Sequence, residues 1–166
     1  MKQILLGLCA ASLLAACAGQ SGAPAATAVL AAKSGSQVSG KVGINEIPGG
    51  LRLTADVKGL TPGEHGFHIH DSGDCSAADG SSAKGHYNPA GKAHGHHSAG
   101  DHHSGDMPNL SANAQGEAKA SMDIRGVTLG EVIGRSVVIH ADPDDYKSQP
   151  AGNSGKRVAC GTILAK

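Results

Sequence analysis

The sequence predicts an all-β fold, a sandwich or barrel of antiparallel strands. Three observations favour it. Apolar and polar residues alternate with a period of two in several segments, Gly- and Pro-containing turns separate those segments, and no convincing long helical pattern occurs. With one Phe, two Tyr and no Trp, the composition also excludes a large aromatic core.

The first sixteen residues are typical of an export signal, because Lys2 precedes an apolar run that ends in small residues. The run is shorter than the ~20 residues that a membrane-spanning helix needs. Residues 14–17, Leu-Ala-Ala-Cys, resemble the cleavage box of bacterial lipoproteins, in which the Cys becomes the new N-terminus and carries acyl chains. We therefore expect residues 1–16 to be a lipoprotein signal peptide and Cys17 to be lipidated.

This leader predicts a protein of the periplasm or cell envelope that is anchored to a membrane through Cys17. Ala18, in place of an Asp, favours the outer membrane over the inner one. The alternative is an ordinary secretory signal that happens to contain a Cys.

Beyond the signal, the chain divides into a tether and one domain. Residues 17–26 are small, polar and Pro-containing, which predicts a flexible tether. Residues 27–166 are enough for one domain with a modest core. The chain has 14 Lys and Arg against 14 Asp and Glu, so no net basic field indicates a nucleic-acid partner.

Half-buried strands are predicted where the alternation is clearest. Residues 51–58 and 118–124 alternate strictly, and residues 38–44 alternate less strictly. The turns between such segments are Pro48-Gly49-Gly50, Thr61-Pro62-Gly63 and Ala114-Gln115-Gly116.

Two long segments, roughly 71–106 and 141–156, lack periodicity and are rich in Gly, Asp, Ser and His. Loops of this length in a small domain are usually functional or disordered. Residues 127–134 are compatible with a short turn or loop.

The four cysteines separate by position. Cys9 lies inside the signal, Cys17 is the predicted anchor, and Cys75 and Cys160 remain in the domain. Two thiols in an exported domain predict one disulfide, which would stabilise the fold by about 4 to 5 kcal/mol on the chain-entropy model. Two free thiols or a Cys metal ligand are the alternatives.

The ten histidines are unevenly distributed, and their positions indicate metal binding. The strand period sends His68 and His70 to one face and the intervening Ile69 to the other. A Gly-rich segment follows, and its imidazoles and carboxylate suit Zn²⁺ and Cu²⁺. Its candidate ligands are His86, His94, His96, His97, His102, His103 and Asp106.

Taken alone, each histidine group has an ordinary explanation. The pair His68 and His70 could be a polar strand face, and the Gly-rich segment could be a loose chelating tract. His140, which ends the apolar run 137–139, could be a core histidine with satisfied hydrogen bonds.

The order of the motifs resembles the copper/zinc superoxide dismutase family over nearly the whole chain after the tether. The resemblance implies an eight-stranded antiparallel Greek-key barrel or sandwich with two long functional loops. It rests on Gly66-Phe67-His68-Ile69-His70, Gly85-His86-Tyr87-Asn88-Pro89, His103-Ser104-Gly105-Asp106, Val137-Val138-Ile139-His140 and Gly155-Lys156-Arg157-Val158-Ala159-Cys160-Gly161.

The resemblance implies two metal ions joined by a bridging His86. Copper would be bound by His68, His70, His86 and His140, and zinc by His86, His94, His103 and Asp106. Asp144 would link a copper histidine to a zinc histidine through hydrogen bonds. His65 would be structural, and Cys75 and Cys160 would form the disulfide. Arg157 would attract the substrate anion, so it and His86 are the expected catalytic residues.

The implied activity is dismutation of superoxide to O₂ and H₂O₂ by a Cu(II)/Cu(I) cycle, with zinc in a structural role. We expect the enzyme to protect the cell envelope from external superoxide, as a monomer or a homodimer. Three alternatives compete with this hypothesis: a periplasmic metal buffer, a catalytically silent family member and a copper-only member. The segment from Cys75 to His86 is more like that of bacterial members than that of eukaryotic ones.

Overall fold

The computed structural model describes residues 23–166, so the predicted signal peptide and Cys17 lie outside the described residues. Within that range the chain forms nine strands, a short 3₁₀ helix (Ser81–Ala83) and one short α-helix, α1 (Leu129–Val132). The strands are β1 (Ala26–Ala32), β2 (Ser39–Ile47), β3 (Gly50–Lys58), β4 (Gly63–His65), β5 (Phe67–His70), β6 (Leu110–Ala112), β7 (Ala118–Arg125), β8 (Ser136–His140) and β9 (Arg157–Ala165).

The strands curl into an antiparallel barrel. Seven of them form one sheet in the order β5-β8-β9-β1-β2-β3-β7, and β4 pairs with β6. A tight turn joins β6 to β7, in which the Asn113 N–H donates to the Glu117 carbonyl over 2.9 Å. The prediction of an all-β fold is confirmed. Counted with β4 and β5 as one interrupted strand, residues 23–166 contain the eight strands expected.

Gly66 interrupts that strand. A Cβ at this position would lie 2.7 Å from the Ser154 Oγ, so a larger residue would displace the loop after β8. The Gly66 N–H donates to the Asp142 carbonyl over 2.9 Å, and the Gly66 carbonyl accepts from the His140 N–H over 2.8 Å. The loop after β8 is thereby held against the start of β5.

Aliphatic side chains on the inner faces of the strands form the core. The predicted strand 51–58 is confirmed in β3, where Leu51, Leu53, Ala55 and Val57 are buried and the residues that alternate with them are exposed. Burying each such side chain stabilises the fold by roughly 1.5 to 3 kcal/mol. The predicted strand 118–124 corresponds to β7.

β5 has two different buried faces. Phe67 and Ile69 belong to the hydrophobic core, so His68 and His70 point to the opposite face of the strand. That face is also buried, because two long connections cover it. These connections run from residue 71 to 109 and from 141 to 156, close to the predicted loops. α1 lies within the segment 127–134, for which the sequence predicts a turn or loop.

A disulfide joins Cys75 in the first long connection to Cys160 in β9, across a separation of 85 residues. This confirms the predicted pairing. Two side chains hold the same connection nearby: the Thr162 hydroxyl donates to the Gly73 carbonyl over 2.6 Å, and the Ser136 hydroxyl donates to the Ser72 carbonyl over 2.7 Å. Within residues 23–166, no helix has the length and apolar character needed to cross a bilayer.

Candidate metal centre

Two buried clusters of potential metal ligands share one residue, His86. In each cluster the ligand atoms lie within 4.8 Å of one another. The four-histidine cluster consists of His68, His70, His86 and His140, and the Asp106 cluster consists of His86, His94, His103 and Asp106. These are the sets that the sequence resemblance implied.

Backbone pairing along β5 brings the loop residues to the strand. The Tyr87 N–H donates to the Ile69 carbonyl over 2.8 Å, and the Ile69 N–H donates to the Gly105 carbonyl over 3.0 Å. A Cβ on Gly105 would collide with the Ile69 carbonyl, so glycine is needed for this approach. His86 and Asp106, the neighbours of Tyr87 and Gly105, are thereby placed beside the β5 imidazoles.

Hydrogen bonds fix which nitrogen of each strand imidazole is available. The His70 Nδ1–H donates to the Lys84 carbonyl over 2.9 Å, and the His140 Nδ1–H donates to the Gly155 carbonyl over 3.3 Å. Because a carbonyl only accepts, the Nε2 atom of each ring has a free lone pair. These two Nε2 atoms lie 3.4 Å apart. Two lone pairs that face each other at this distance form a site for a cation.

His86 lies between the clusters. Its Nδ1 is 2.7 Å from the Asp106 Oδ1 and 3.3 Å from the His103 Nδ1. Its Nε2 is buried and has no hydrogen-bond partner among residues 23–166. The His86 ring stacks on the His68 ring with a centroid separation of 3.9 Å. One imidazole therefore presents a nitrogen to each cluster.

The Asp106 carboxylate is the centre of the second cluster. Its Oδ1 lies 3.1 Å from the His94 Nδ1 and 3.3 Å from the His103 Nδ1. Its Oδ2 accepts main-chain N–H groups from Gly95 over 3.2 Å and from His103 over 2.8 Å. Three ring nitrogens, counting that of His86, thus approach one carboxylate oxygen.

Asp144 connects the two clusters through their imidazoles. Its Oδ2 accepts the His68 Nε2–H over 2.8 Å, and its Oδ1 accepts the His94 Nε2–H over 2.9 Å. The Asn109 amide holds the Asp144 main chain from both sides: Nδ2 donates to the Asp144 carbonyl over 3.0 Å, and Oδ1 accepts the Asp144 N–H over 2.9 Å.

Burial and hydrogen bonding give the two clusters different charges. Burial lowers the pKa of His68 to about 4, that of His140 to about 3 and that of His70 well below its ordinary value, so these rings are neutral at pH 7. Burial also disfavours charge on His94, but hydrogen bonds with Asp106 and Asp144 outweigh it and raise the His94 pKa to about 9. Burial also disfavours charge on the Asp106 and Asp144 carboxyls, but hydrogen bonds from the histidines outweigh it and lower the pKa of both.

The model of the copper/zinc superoxide dismutase family matches residues 38–163, which is most of the chain. The chain belongs to this family.

Named relatives agree with the family match. A copper-zinc superoxide dismutase of Aquifex aeolicus is 44% identical over 136 residues, covering 76% of this chain and 80% of the relative. One from Caulobacter vibrioides is 42% identical over 148 residues, covering 83% and 84%. One from Onchocerca volvulus is 40% identical over 151 residues, covering 82% and 95%. The chain is accordingly an oxidoreductase whose substrate is superoxide and whose cofactors are copper and zinc.

The described residues fit the two ions of a copper/zinc superoxide dismutase. Two buried ring nitrogens of the clusters, His68 Nδ1 and His86 Nε2, have no hydrogen-bond partner within residues 23–166. A buried polar atom left unpaired costs roughly 1 to 3 kcal/mol. Imidazole suits both metals, and the mixed set of imidazoles and carboxylate suits zinc. Metal ligation would satisfy both atoms.

Arg157, at the start of β9, lies beside the four-histidine cluster. Its guanidinium donates to the Gly80 carbonyl over 2.7 Å and to the Lys84 carbonyl over 2.5 Å. The Lys84 carbonyl also accepts from His70, so one acceptor holds both side chains. Burial, followed by neighbouring positive charges that include Arg157, lowers the pKa of both His70 and His140.

The remaining histidines lie outside both clusters. The His65 ring nitrogens are 2.8 Å from the carbonyls of His140 and Thr61, which is a structural arrangement. His96, His97 and His102 are half-buried or nearly buried at the rim, and none of them supplies a ligand atom to either cluster, whereas His94 and His103 do. The structure therefore distinguishes the loop histidines that belong to a cluster from those that do not, which the sequence alone could not do.

Several residues that shape the site have no sequence signal. Asn109 and Gln149 hold Asp144 and His94 in place, and Gly152 leaves room for the Asp144 carboxylate, but these partners lie 8 to 55 residues apart in the chain. Glycines and side-chain amides are common in loops, so their types do not indicate these roles. A family alignment restricted to the two long loops is the signal that could have identified them.

Proposed function

We propose that the chain dismutes superoxide at a copper ion held by the four-histidine cluster, with a structural zinc ion in the Asp106 cluster. The observation that carries this proposal is the position of His86, which belongs to both clusters. Its Nδ1 lies 2.7 Å from the Asp106 Oδ1, and its buried Nε2 has no hydrogen-bond partner among residues 23–166. A simple metal buffer has no need of an imidazole shared between two sites.

A copper ion held by His68, His70, His86 and His140 would supply one-electron redox chemistry, by which one superoxide is oxidised to O₂ and a second is reduced, with two protons, to H₂O₂. The residues of the chain bind the substrate, orient the ligands and move protons. His86 Nε2 is the buried atom that can hold a proton and release it toward the product. Asp144 keeps His68 and His94 in the required tautomers.

Arg157 binds the anionic substrate in this proposal. The carbonyls of Gly80 and Lys84 fix its guanidinium beside His70, at the edge of the four-histidine cluster. A fixed positive charge at a partly desolvated site attracts a small anion and raises its association rate.

Metal reconstitution tests the proposal directly. The mature domain with its disulfide oxidised is expected to be inactive without metal and to dismute superoxide after copper and zinc are added. His140→Ala removes one imidazole of the four-histidine cluster and is expected to lose copper and activity. His96→Ala, at a histidine outside both clusters, is the matched control and should keep both. If copper and zinc give the wild type no activity, the proposal is wrong.

The role of Arg157 is separable from metal binding. Arg157→Ala should retain both ions but turn over more slowly. Its rate should also depend less on salt, because salt then has one positive charge fewer to screen from the anionic substrate. Arg125→Ala removes an exposed arginine of β7 and should leave the rate nearly unchanged. Wild-type rate and salt dependence in Arg157→Ala would contradict the proposed substrate role.

We further propose that the enzyme is a lipoprotein of the cell envelope, anchored through Cys17 and protecting the envelope from external superoxide. The export signal and the Leu-Ala-Ala-Cys segment support this, as does the disulfide, which persists in oxidising compartments. Ala18 favours the outer membrane as the site of anchoring.

A further inference from the structure

Gln149 forms a two-sided hydrogen-bonded pair with the main chain of His94. The Gln149 Nε2 donates to the His94 carbonyl over 2.9 Å, and the His94 N–H donates to the Gln149 Oε1 over 2.8 Å. Nε2 also contacts the Lys147 carbonyl at 3.3 Å, so both hydrogens of the amide face carbonyl oxygens. The reversed amide would place NH₂ against the His94 N–H, so these contacts fix the orientation of the group.

The pair resembles one rung of an antiparallel ladder, built from a side chain in place of a second strand. Residues 91–96 belong to no strand or helix, and Gly91 and Gly95 allow the backbone many conformations. The His94 main chain therefore depends on Gln149 for hydrogen bonds that a sheet would otherwise supply.

His94 is held by the second long connection at two levels. Asp144 accepts a hydrogen bond from its ring, and Gln149 pairs with its main chain. A ring hydrogen bond alone leaves the Cα free to move about it. With both points fixed, the His94 Nδ1 is directed toward the Asp106 Oδ1, from which it lies 3.1 Å.

We propose that Gln149 is a positioning residue for His94, which sets the zinc affinity of the Asp106 cluster by fixing the His94 main chain before the ion arrives. The inference rests on the proposed zinc site. Without the pair, the cost of ordering this segment would fall on the binding step. Loss of a partner that orients a metal ligand typically lowers metal affinity by about 10- to 100-fold.

The test compares variants that separate hydrogen bonding from packing. Gln149→Met keeps the length of the side chain and removes both hydrogen bonds, whereas Gln149→Ala removes the packing as well. Gln115→Met, in the exposed turn between β6 and β7, is the matched control. The zinc dissociation constant of each full domain is measured by competition with a chelator, and the melting temperature of each metal-free domain is measured alongside.

We expect Gln149→Met and Gln149→Ala to bind zinc about 10- to 100-fold more weakly than wild type, with Gln115→Met unchanged. The metal-free melting temperature of Gln149→Met should stay close to that of the wild type. The inference is overturned if Gln149→Met binds zinc within twofold of Gln115→Met. It is also overturned if only Gln149→Ala is weakened, because packing is then responsible.

Failure of the zinc site itself gives a different result. In that case the wild type and Gln115→Met would also bind zinc weakly, and Asp106→Ala would not reduce their zinc affinity further. An intact wild-type site with an unaffected Gln149→Met would contradict only the role of Gln149.

Discussion

At the scale of single residues, the surroundings of Asp144 are tightly constrained. Its carboxylate lies between imidazoles from the two clusters, and its main chain is held by Asn109. Gly152 completes this environment, because its φ of +64° and its missing Cβ leave space for the Asp144 carboxylate. Substitutions here should alter the metal centre without touching a proposed ligand.

Gly152→Ala should weaken zinc binding by about 10- to 100-fold, the range typical for a lost orienting contact. The new Cβ would collide with the Asp144 Oδ1 and lie 2.8 Å from the His94 Nε2, which forces their hydrogen bond apart. Gly91→Ala is the matched control, because Gly91 has a φ of +62° and a Cβ there would meet no atom within 4 Å. An equal loss of zinc affinity in the two variants would assign the effect to backbone strain. Wild-type affinity in Gly152→Ala would contradict the prediction.

The raised pKa of His94 predicts a pH dependence for zinc binding. With a pKa of about 9, metal-free His94 carries a proton at pH 6 to 8, and the ion must displace it. Raising the pH removes this competitor, so zinc affinity should increase about tenfold per pH unit between pH 6 and 8. Chelator competition at several pH values measures the slope, and calorimetry in different buffers measures the released proton. A flat profile would contradict the assignment.

At the scale of elements, the first long connection is held to the barrel by one covalent bond and several hydrogen bonds. The disulfide joins Cys75 to β9, and the carbonyls of Gly80 and Lys84, further along the connection, hold Arg157. The connection that carries His86 thus also determines the position of Arg157, the proposed substrate-binding residue.

Removing the disulfide should lower the free energy of unfolding by about 4 to 5 kcal/mol, the chain-entropy value for a loop of this length. The double variant Cys75→Ser, Cys160→Ser is compared with the wild type in denaturant titrations of the metal-free domain. The wild type under reducing conditions is the control, and its stability should fall similarly. A loss under about 1 kcal/mol in both would show that the hydrogen bonds alone hold the connection.

Sequence patterns predicted the elements unevenly, for physical reasons. β3 was predictable because Leu51, Leu53, Ala55 and Val57 face the core while the residues that alternate with them face water. The two ligand sets followed from the family resemblance that the ordered motifs carry, whereas the strand period alone grouped only His68 with His70. Gln149 was not predictable, because its partner is the main chain of a residue 55 positions away. A hydrogen bond to a main-chain group can form whatever side chain that residue carries, so the sequence contains no pattern that reveals it.

At the scale of the whole molecule, the barrel is a scaffold whose loops carry most of the chemistry. β5 and β8 supply His68, His70 and His140, and the two long connections supply the remaining residues of both clusters and Asp144. This division lets a small aliphatic core position two metal sites.

The proposed attachment to the membrane is tested on the full-length chain. Cys17→Ala is expected to abolish fatty-acid incorporation and to release the protein into the soluble fraction of the envelope. Cys9→Ala, inside the predicted signal, is the matched control and should remain labelled and membrane-bound. Metabolic labelling with a fatty acid, followed by fractionation, distinguishes the outcomes. Labelling that persists in Cys17→Ala would exclude this residue as the anchor.

The alternation in β5 also acts as a safeguard during folding. If β5 paired with β8 one residue out of register, Phe67 and Ile69 would turn toward the metal centre and two imidazoles would enter the hydrophobic interior. Such a chain would lose the burial of two large apolar side chains, roughly 3 to 6 kcal/mol. The hydrophobic effect therefore opposes a misassembled metal centre before any metal is bound.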